Sequence, residues 1–209
     1  MEKILPWKDF LELLDPYWYN QKIGRKKTNA LLMLKIHFLQ KWYHLADVSV
    51  EEAIWENIVF QKFLDIDPGV DGVPDASTIE NFRHCLEENN LSEKLFSCVI
   101  SLLSSRGLIL QEGTSVDASI IQAPSSTKNK EQKRDPEMKQ TKKGNQWYFG
   151  MKIHCGTDTR NKIIHTLKTS SAHEHDSLYF EDCLHGDEKV VFADKAYDKK
   201  ERTRDLRNK

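Results

Sequence analysis

With 209 residues, 39% of them hydrophobic and 10% aromatic, the chain is long enough for one sizeable core or two modest ones, and a globular protein is expected. Its 31 Lys and Arg nearly cancel its 32 Asp and Glu, which excludes a global field that would by itself recruit nucleic acid or a membrane. No apolar run approaches a bilayer span, Met1 to Phe10 lacks the apolar stretch of a signal peptide, and the four scattered cysteines form no CxxC pair, so a cytoplasmic protein with reduced thiols is expected.

Leu5 to Gln21 sets Trp7, Phe10, Tyr17 and Trp18 among the breakers Pro6 and Pro16 and reads as a short helix packed on a larger body. From Asn29 to Leu45 an amphipathic helix is expected, opened by Thr28 and burying Leu31, Leu34, Phe38, Trp42 and Leu45 at spacings of three and four. Ser49 with Glu52 forms a capping box for a helix that turns Val50, Ala53, Ile54 and Ile58 inward. Asp65 to Pro74, rich in Asp, Gly and Pro, reads as a loop. Ser77 with Glu80 forms a second capping box before Ile79, Phe82 and Leu86, and a last helix from about Ser92 to Ser105 is closed by Gly107. The last two helices suit either a plain packing hairpin or a DNA-reading helix-turn-helix with Arg83, His84 or Lys94 on its surface.

After Gly107 the apolar pattern changes from a helical period to alternation, which divides the chain into a helical domain, residues 1–107, and a second domain, residues 108–209. In the strand expected over Gly113 to Ile121, Val116, Ala118 and Ile120 face one way and Ser115, Asp117 and Ser119 the other. A carboxylate there is either solvated or held against a cation. Residues 124–146 carry seven basic residues against three acidic ones and no apolar period, the composition of a flexible basic insertion. Trp147, Tyr148 and Phe149 follow, suited either to stacking on unpaired bases or to anchoring the end of that insertion in the core.

Met151 to Thr157 and Lys162 to Thr169 read as a hairpin turning at Asp158 to Asn161, and a helix from about Asp176 to His185, capped by Asp176 or Ser177, ends at Gly186. His173, Glu174, His175 and Asp176 have some metal-ligand character, but no partner pair is visible elsewhere. Val190 to Ala193 is a continuous apolar run, expected to be buried on both faces, and it ends at Asp194. The fold expected is α+β, an all-helical domain followed by an incomplete ribonuclease H-like α/β domain in β-β-β-α-β order. In that order the first and last strands are neighbours, Asp117 faces Asp194, and the two carboxylates suit a hard cation such as Mg²⁺.

PDASTIENFRHCLE (Pro74 to Glu87), GTSVDASIIQAPSSTKNK (Gly113 to Lys130), RDPEMKQTKKGNQWYFGMKIH (Arg134 to His154) and VVFADKAY (Val190 to Tyr197) together resemble insertion-sequence-five type transposases of the bacterial DDE class. The resemblance implies DNA cleavage and strand transfer at transposon ends, with Asp117 and Asp194 matching the first two catalytic and metal-binding aspartates and Mg²⁺ or Mn²⁺ as cofactor. It also implies a helical domain for DNA-end binding and assembly. The partners implied are double-stranded DNA, as terminal inverted repeats and as target, with a homodimer left open and no membrane. The place implied is the bacterial cytoplasm, at the nucleoid when bound to DNA. Lys128, Lys130, Lys133, Arg134, Lys139, Lys142, Lys143 and Lys195 are expected to hold the DNA backbone. Members of that class continue through further strands to a catalytic Glu near a Tyr, Arg and Lys motif, which this sequence does not reach by Lys209, and Glu201 lies too close to Asp194 to serve. The chain is therefore expected to be the front part of a transposase. The alternatives are a non-catalytic DNA-binding fragment that inhibits an intact transposase, or an inactive remnant with an exposed sheet edge and an uncovered apolar face.

Overall fold

Apolar residues recurring at helical spacing fold the first half of the chain into helices. In the computed structural model, which describes residues 5–19, 27–109, 112–125 and 133–198, these are α1 (Trp7–Trp18), α2 (Ala30–Tyr43), α3 (Asp47–Glu56), α4 (Ile58–Leu64), α5 (Pro68–Asp71), α6 (Ala76–Glu88) and α7 (Leu91–Ser105). Helix α2 is buried on more sides than an amphipathic stripe provides: Met33, Leu34, Ile36 and Leu39 join Phe10, Leu14, Ile54, Phe82 and Leu86 in one core. Even Lys35 is buried there, its ammonium donating to the Phe63 carbonyl at 2.8 Å. Trp18 meets Phe82 edge to face at 5.0 Å and donates its indole N–H to the Thr28 carbonyl at 2.7 Å.

The helix boundaries correct the capping expectations. Asn29, not Thr28, caps α2 by accepting from the Leu31 and Leu32 amides, and Asp75, not Ser77, caps α6 by accepting from the Thr78 amide. Helix α3 starts at Asp47, so Ser49 lies inside it and forms no cap. The loop expected over residues 65–74 holds the one-turn helix α5, and Ile58 is exposed because α3 stops at Glu56 and Asn57 restarts the chain as α4.

Five strands follow: β1 (Gly113–Gln122), β2 (Lys139–Lys143), β3 (Gln146–Asp158), β4 (Ile164–Ser171) and β5 (Val190–Ala193). The sheet runs β2-β3-β1-β5, with β4 also paired to β3, and all ladders are antiparallel except β1 with β5. The architecture is α+β, with helices first and a mixed sheet after them. The chain divides into two compact units, Met1–Leu102 and Leu103–Lys209.

Three expectations for the second unit are overturned. The basic insertion contains a strand, because Lys139 to Lys143 pairs residue by residue with Gln146 to Gly150 and obtains its backbone partners there. The helix expected over 176–185 is instead two short 3-10 turns, Asp176–Tyr179 and Glu181–Cys183, and His175 caps the first by accepting from the Ser177 amide. Strand β5 is not buried on both faces: Val191 is partly buried against the small core of Val116, Phe180, Cys183 and Tyr197, Ala193 is exposed, and Val190 and Phe192 are 50% and 57% exposed. Gly156 is required where the second turn lies on the sheet, since a Cβ there would collide with the Cys183 carbonyl.

Candidate active site

In the β1–β5 ladder Gly113 pairs with Val190 and Val116 with Ala193, so Asp117 follows the last paired residue of β1 and Asp194 follows the last residue of β5, at the end of the pairing between two neighbouring parallel strands whose usual spacing is about 4.8 Å. Both are exposed. Each has one oxygen engaged locally, Asp117 Oδ1 accepting from the Ala118 amide at 2.8 Å and Asp194 Oδ1 from the Lys195 amide at 2.6 Å. The second bond makes Asp194 the cap of the 3-10 turn Lys195–Tyr197, which fixes where the strand ends. Tyr197 is buried under that turn, and its phenol is pushed well above the ordinary tyrosine range by burial and then by the charges of Asp176, Asp117, Cys183 and Asp194.

The residues that impose this register carry no motif, and sequence reading did not single them out. Glu188, with a side chain 4% exposed, accepts from the His185 amide at 2.7 Å, the Gly186 amide at 2.8 Å and the Thr114 hydroxyl at 3.1 Å. Burial raises its pKa, but the donated backbone N–H groups and His185 outweigh that and hold it below the usual carboxylate value. Glu188 thus ties the loop before β5 to the start of β1, and the backbone bond from Lys189 N to the Glu112 carbonyl at 3.1 Å continues the tie. The sequence offers for it only a Glu among polar residues, His185 to Lys189, directly before the apolar run at Val190.

The two faces of the sheet differ. Thr114, Val116 and Ala118 share a face with Asp158, Gly156 and His154, and the 3-10 turns cover it. There Lys152 donates to Asp176 at 2.8 Å and to the Glu174 carbonyl at 2.7 Å, and buried His154 stacks on Tyr179 with ring centroids 4.4 Å apart. Asp176 therefore pairs with a lysine, while His173 contacts Ser171 and His175 contacts Ser177, so the HEHD stretch is a structural loop. Asp117 lies on the opposite, open face beside Cys155, whose thiol is pushed up by burial and then by the Asp117 charge.

The basic residues are spread along this part of the chain. Lys128 and Lys130 lie outside the described residues. Lys133, Arg134, Lys139, Lys142, Lys143 and Lys195 are all exposed. Arg134 lies over Phe149 at 5.3 Å with its Nε donating to the Ser125 carbonyl at 3.1 Å, and Lys142 lies 5.9 Å from the Trp147 ring. Of the three aromatics, Phe149 anchors the hairpin in the fold and Trp147 stays out in solvent.

Among the described residues, no group of three or more His, Cys, Asp or Glu is placed to hold a metal ion. Two adjacent exposed carboxylates nevertheless fit magnesium, which keeps several waters and commonly takes only one or two protein carboxylates. Among the described residues, no helix is long and apolar enough to cross a membrane.

Residues 110–209 match the family described as Transposase DDE domain, and residues 1–85 match the family described as Transposase domain (DUF772). No solved structure gives a significant match to the chain. The two family matches, one on each half of the chain, support a DDE transposase family, whose substrates are DNA.

Proposed function

We propose that the chain acts as a transposase of a bacterial insertion sequence, cleaving phosphodiesters and transferring strands at transposon ends, with Asp117 and Asp194 holding Mg²⁺ or Mn²⁺. The observation that carries this reading is the parallel register in which Asp117 and Asp194 each follow the last paired residue, Val116 and Ala193, exposed, with one oxygen of each engaged by a backbone N–H. Parallel strands in α/β sheets gather ligands beyond their carboxyl ends, where Asp194 stands.

The protein's part in the chemistry is placement. Asp117 and Asp194 would share the ion, and the Asp194 cap keeps its carboxylate at the strand end. A divalent ion so held supplies charge stabilisation at a phosphoryl oxygen and a more acidic water. Lys195, next to Asp194, and the basic residues 128–143 would hold the phosphate backbone, a term that weakens as salt rises. Terminal inverted repeats and a target duplex are the DNA partners in this reading, and the helical unit serves to bind ends and assemble the complex, as a homodimer where two ends are joined.

A second reading is favoured by one observation: the site has two carboxylates, and no third ligand joins them among the described residues. In that case the chain binds DNA without cutting it and inhibits an intact transposase. The two separate on DNA carrying the element's inverted repeats, incubated with Mg²⁺ or Mn²⁺. Strand cleavage that Asp117→Ala abolishes supports the enzyme. Salt-sensitive binding without cleavage supports the inhibitor, and the absence of both sinks the proposal.

A further inference from the structure

We infer that Trp147, with Lys142 beside it, is a stacking platform for an unpaired nucleobase of the DNA engaged at Asp117 and Asp194, an inference that rests on the function proposed above. Trp147 is 63% exposed, whereas Phe149, two residues on, is buried, so packing accounts for one of the two aromatics and not for the other. It stands near the tip of the β2–β3 hairpin, opposite Lys142 and beside Lys143, with the turn at Gly144 in the left-handed conformation. A broad π surface kept in water next to ammonium groups suits a base on the ring and its phosphate on the lysines.

Register then relates this tip to the aspartates. Asp117 pairs with Cys155 on β3, and Trp147 lies further back on that same strand, so the hairpin tip and the first aspartate are joined by one continuous strand of the sheet. Along β3 the separation from Trp147 to the position facing Asp117 is about 26 Å at 3.3 Å per residue, which a DNA strand covers in roughly seven or eight nucleotides. Between them along β3, Arg134 lies over Phe149, adding a guanidinium to the lysines of the hairpin. A base within a duplex offers its π face only to its neighbours, so the ring selects a nucleotide that is unpaired. Stacking is tolerant of sequence, so the contact discriminates single strand from duplex and not one base from another.

The test measures the full chain with fluorescent single-stranded oligodeoxythymidine and, separately, with a duplex of the same length. Trp147→Ala is expected to weaken single-strand binding about tenfold and duplex binding by less than about twofold, while Trp147→Phe keeps most of the single-strand affinity. A 2-aminopurine walked along a forked transposon end should report stacking roughly seven or eight nucleotides from the cleaved phosphate. Equal losses on both oligonucleotides, or no loss on either, would overturn the inference. If the unaltered chain binds neither oligonucleotide, the proposed function fails with it. If that chain binds and cleaves while Trp147→Ala binds the single strand as tightly, only the stacking role fails.

Discussion

Thr114 donates its hydroxyl to Glu188 at 3.1 Å, joining the first residues of β1 to the loop that delivers β5. Because Glu188 also accepts from the His185 and Gly186 amides, its removal would take the acceptor from two backbone amides and leave the Thr114 hydroxyl with His165 alone. Glu188→Ala is expected to lower stability by about 2 to 3 kcal/mol in chemical denaturation. It should also loosen the alignment of Asp194 with Asp117, read as weaker Mg²⁺ binding by calorimetry. Glu188→Gln keeps part of the bonding and should fall between the two. A variant with unaltered stability and metal affinity would remove Glu188 from the register argument.

Gly156 tests the covered face of the same sheet. Its Cα lies against the Cys183 carbonyl, with the His165 ring also close, so an added methyl has no room without moving the 3-10 turn. Gly156→Ala is expected to cost about 1 to 3 kcal/mol, the usual range for overpacking. Hydrogen exchange should locate the loss at residues 176–183 and at β3. A variant as stable as the parent, with protection unchanged there, would mean that the turn has slack.

How much of this arrangement could be read in advance depended on where the stabilising partners lie. The alternation around Asp117 and the apolar run ending at Asp194 were legible because each is set by side chains within a few residues. Helices α2, α6 and α7 were legible for the same reason, apart from their caps, where Asn29 and Asp75 compete with neighbouring Thr28 and Ser77 for the same role. Strand β2 was not legible: KQTKK has no apolar face, and only its partner Gln146 to Gly150 makes it a strand. The Glu188 tie was hidden too, since it joins residues 74 positions apart in sequence.

Lys152 and Asp176 pair on the covered face, with side chains 11% and 30% exposed. Replacing Lys152 by Met would leave the Asp176 carboxylate without its cation and the Glu174 carbonyl without its donor. The expected loss is about 2 kcal/mol, measured by urea denaturation. Lys152→Arg should recover part of it. If Lys152→Met were neutral, the pair would be ornamental, as many surface ion pairs are.

Arg83 was a candidate for reading DNA from α6, and the structure gives it other partners. Its guanidinium reaches Asp47 on α3 at 3.1 Å and Glu87 at 3.2 Å, and with Gln40 it offsets the burial that would otherwise raise the Asp47 pKa, leaving that pKa below its ordinary value. Arg83→Ala is therefore expected to lower stability by about 1 to 2 kcal/mol, discounted for its partial exposure. The salt dependence of DNA binding should stay unchanged. A fall of about one unit in the slope of log affinity against log salt would instead make Arg83 a phosphate contact.

His37 gives the helical unit an acid limit. It sits on α2 at 9% exposure, its Nδ1 has no hydrogen-bond partner among the described residues, and its ring lies 6.4 Å from Phe82. Burial, followed by the charges of Lys41 and Arg83, brings its pKa down from 6.5 to about 4. The folded state thus resists a proton that the unfolded chain accepts below about pH 6.5, so stability rises with pH across the window from about 4 to 6.5 and is flat on either side. The whole shift corresponds to about 3 kcal/mol lost on acidification. His154 and His165 are lowered by burial as well, so total stability has further slope in acid. The His37 share is isolated by comparing the parent with His37→Leu, which cannot take up a proton. The unfolding free energy of the parent minus that of the variant should rise by about 3 kcal/mol from pH 4 to pH 7. Parallel curves across that window would show that His37 titrates alike in both states and that its burial has no electrostatic consequence.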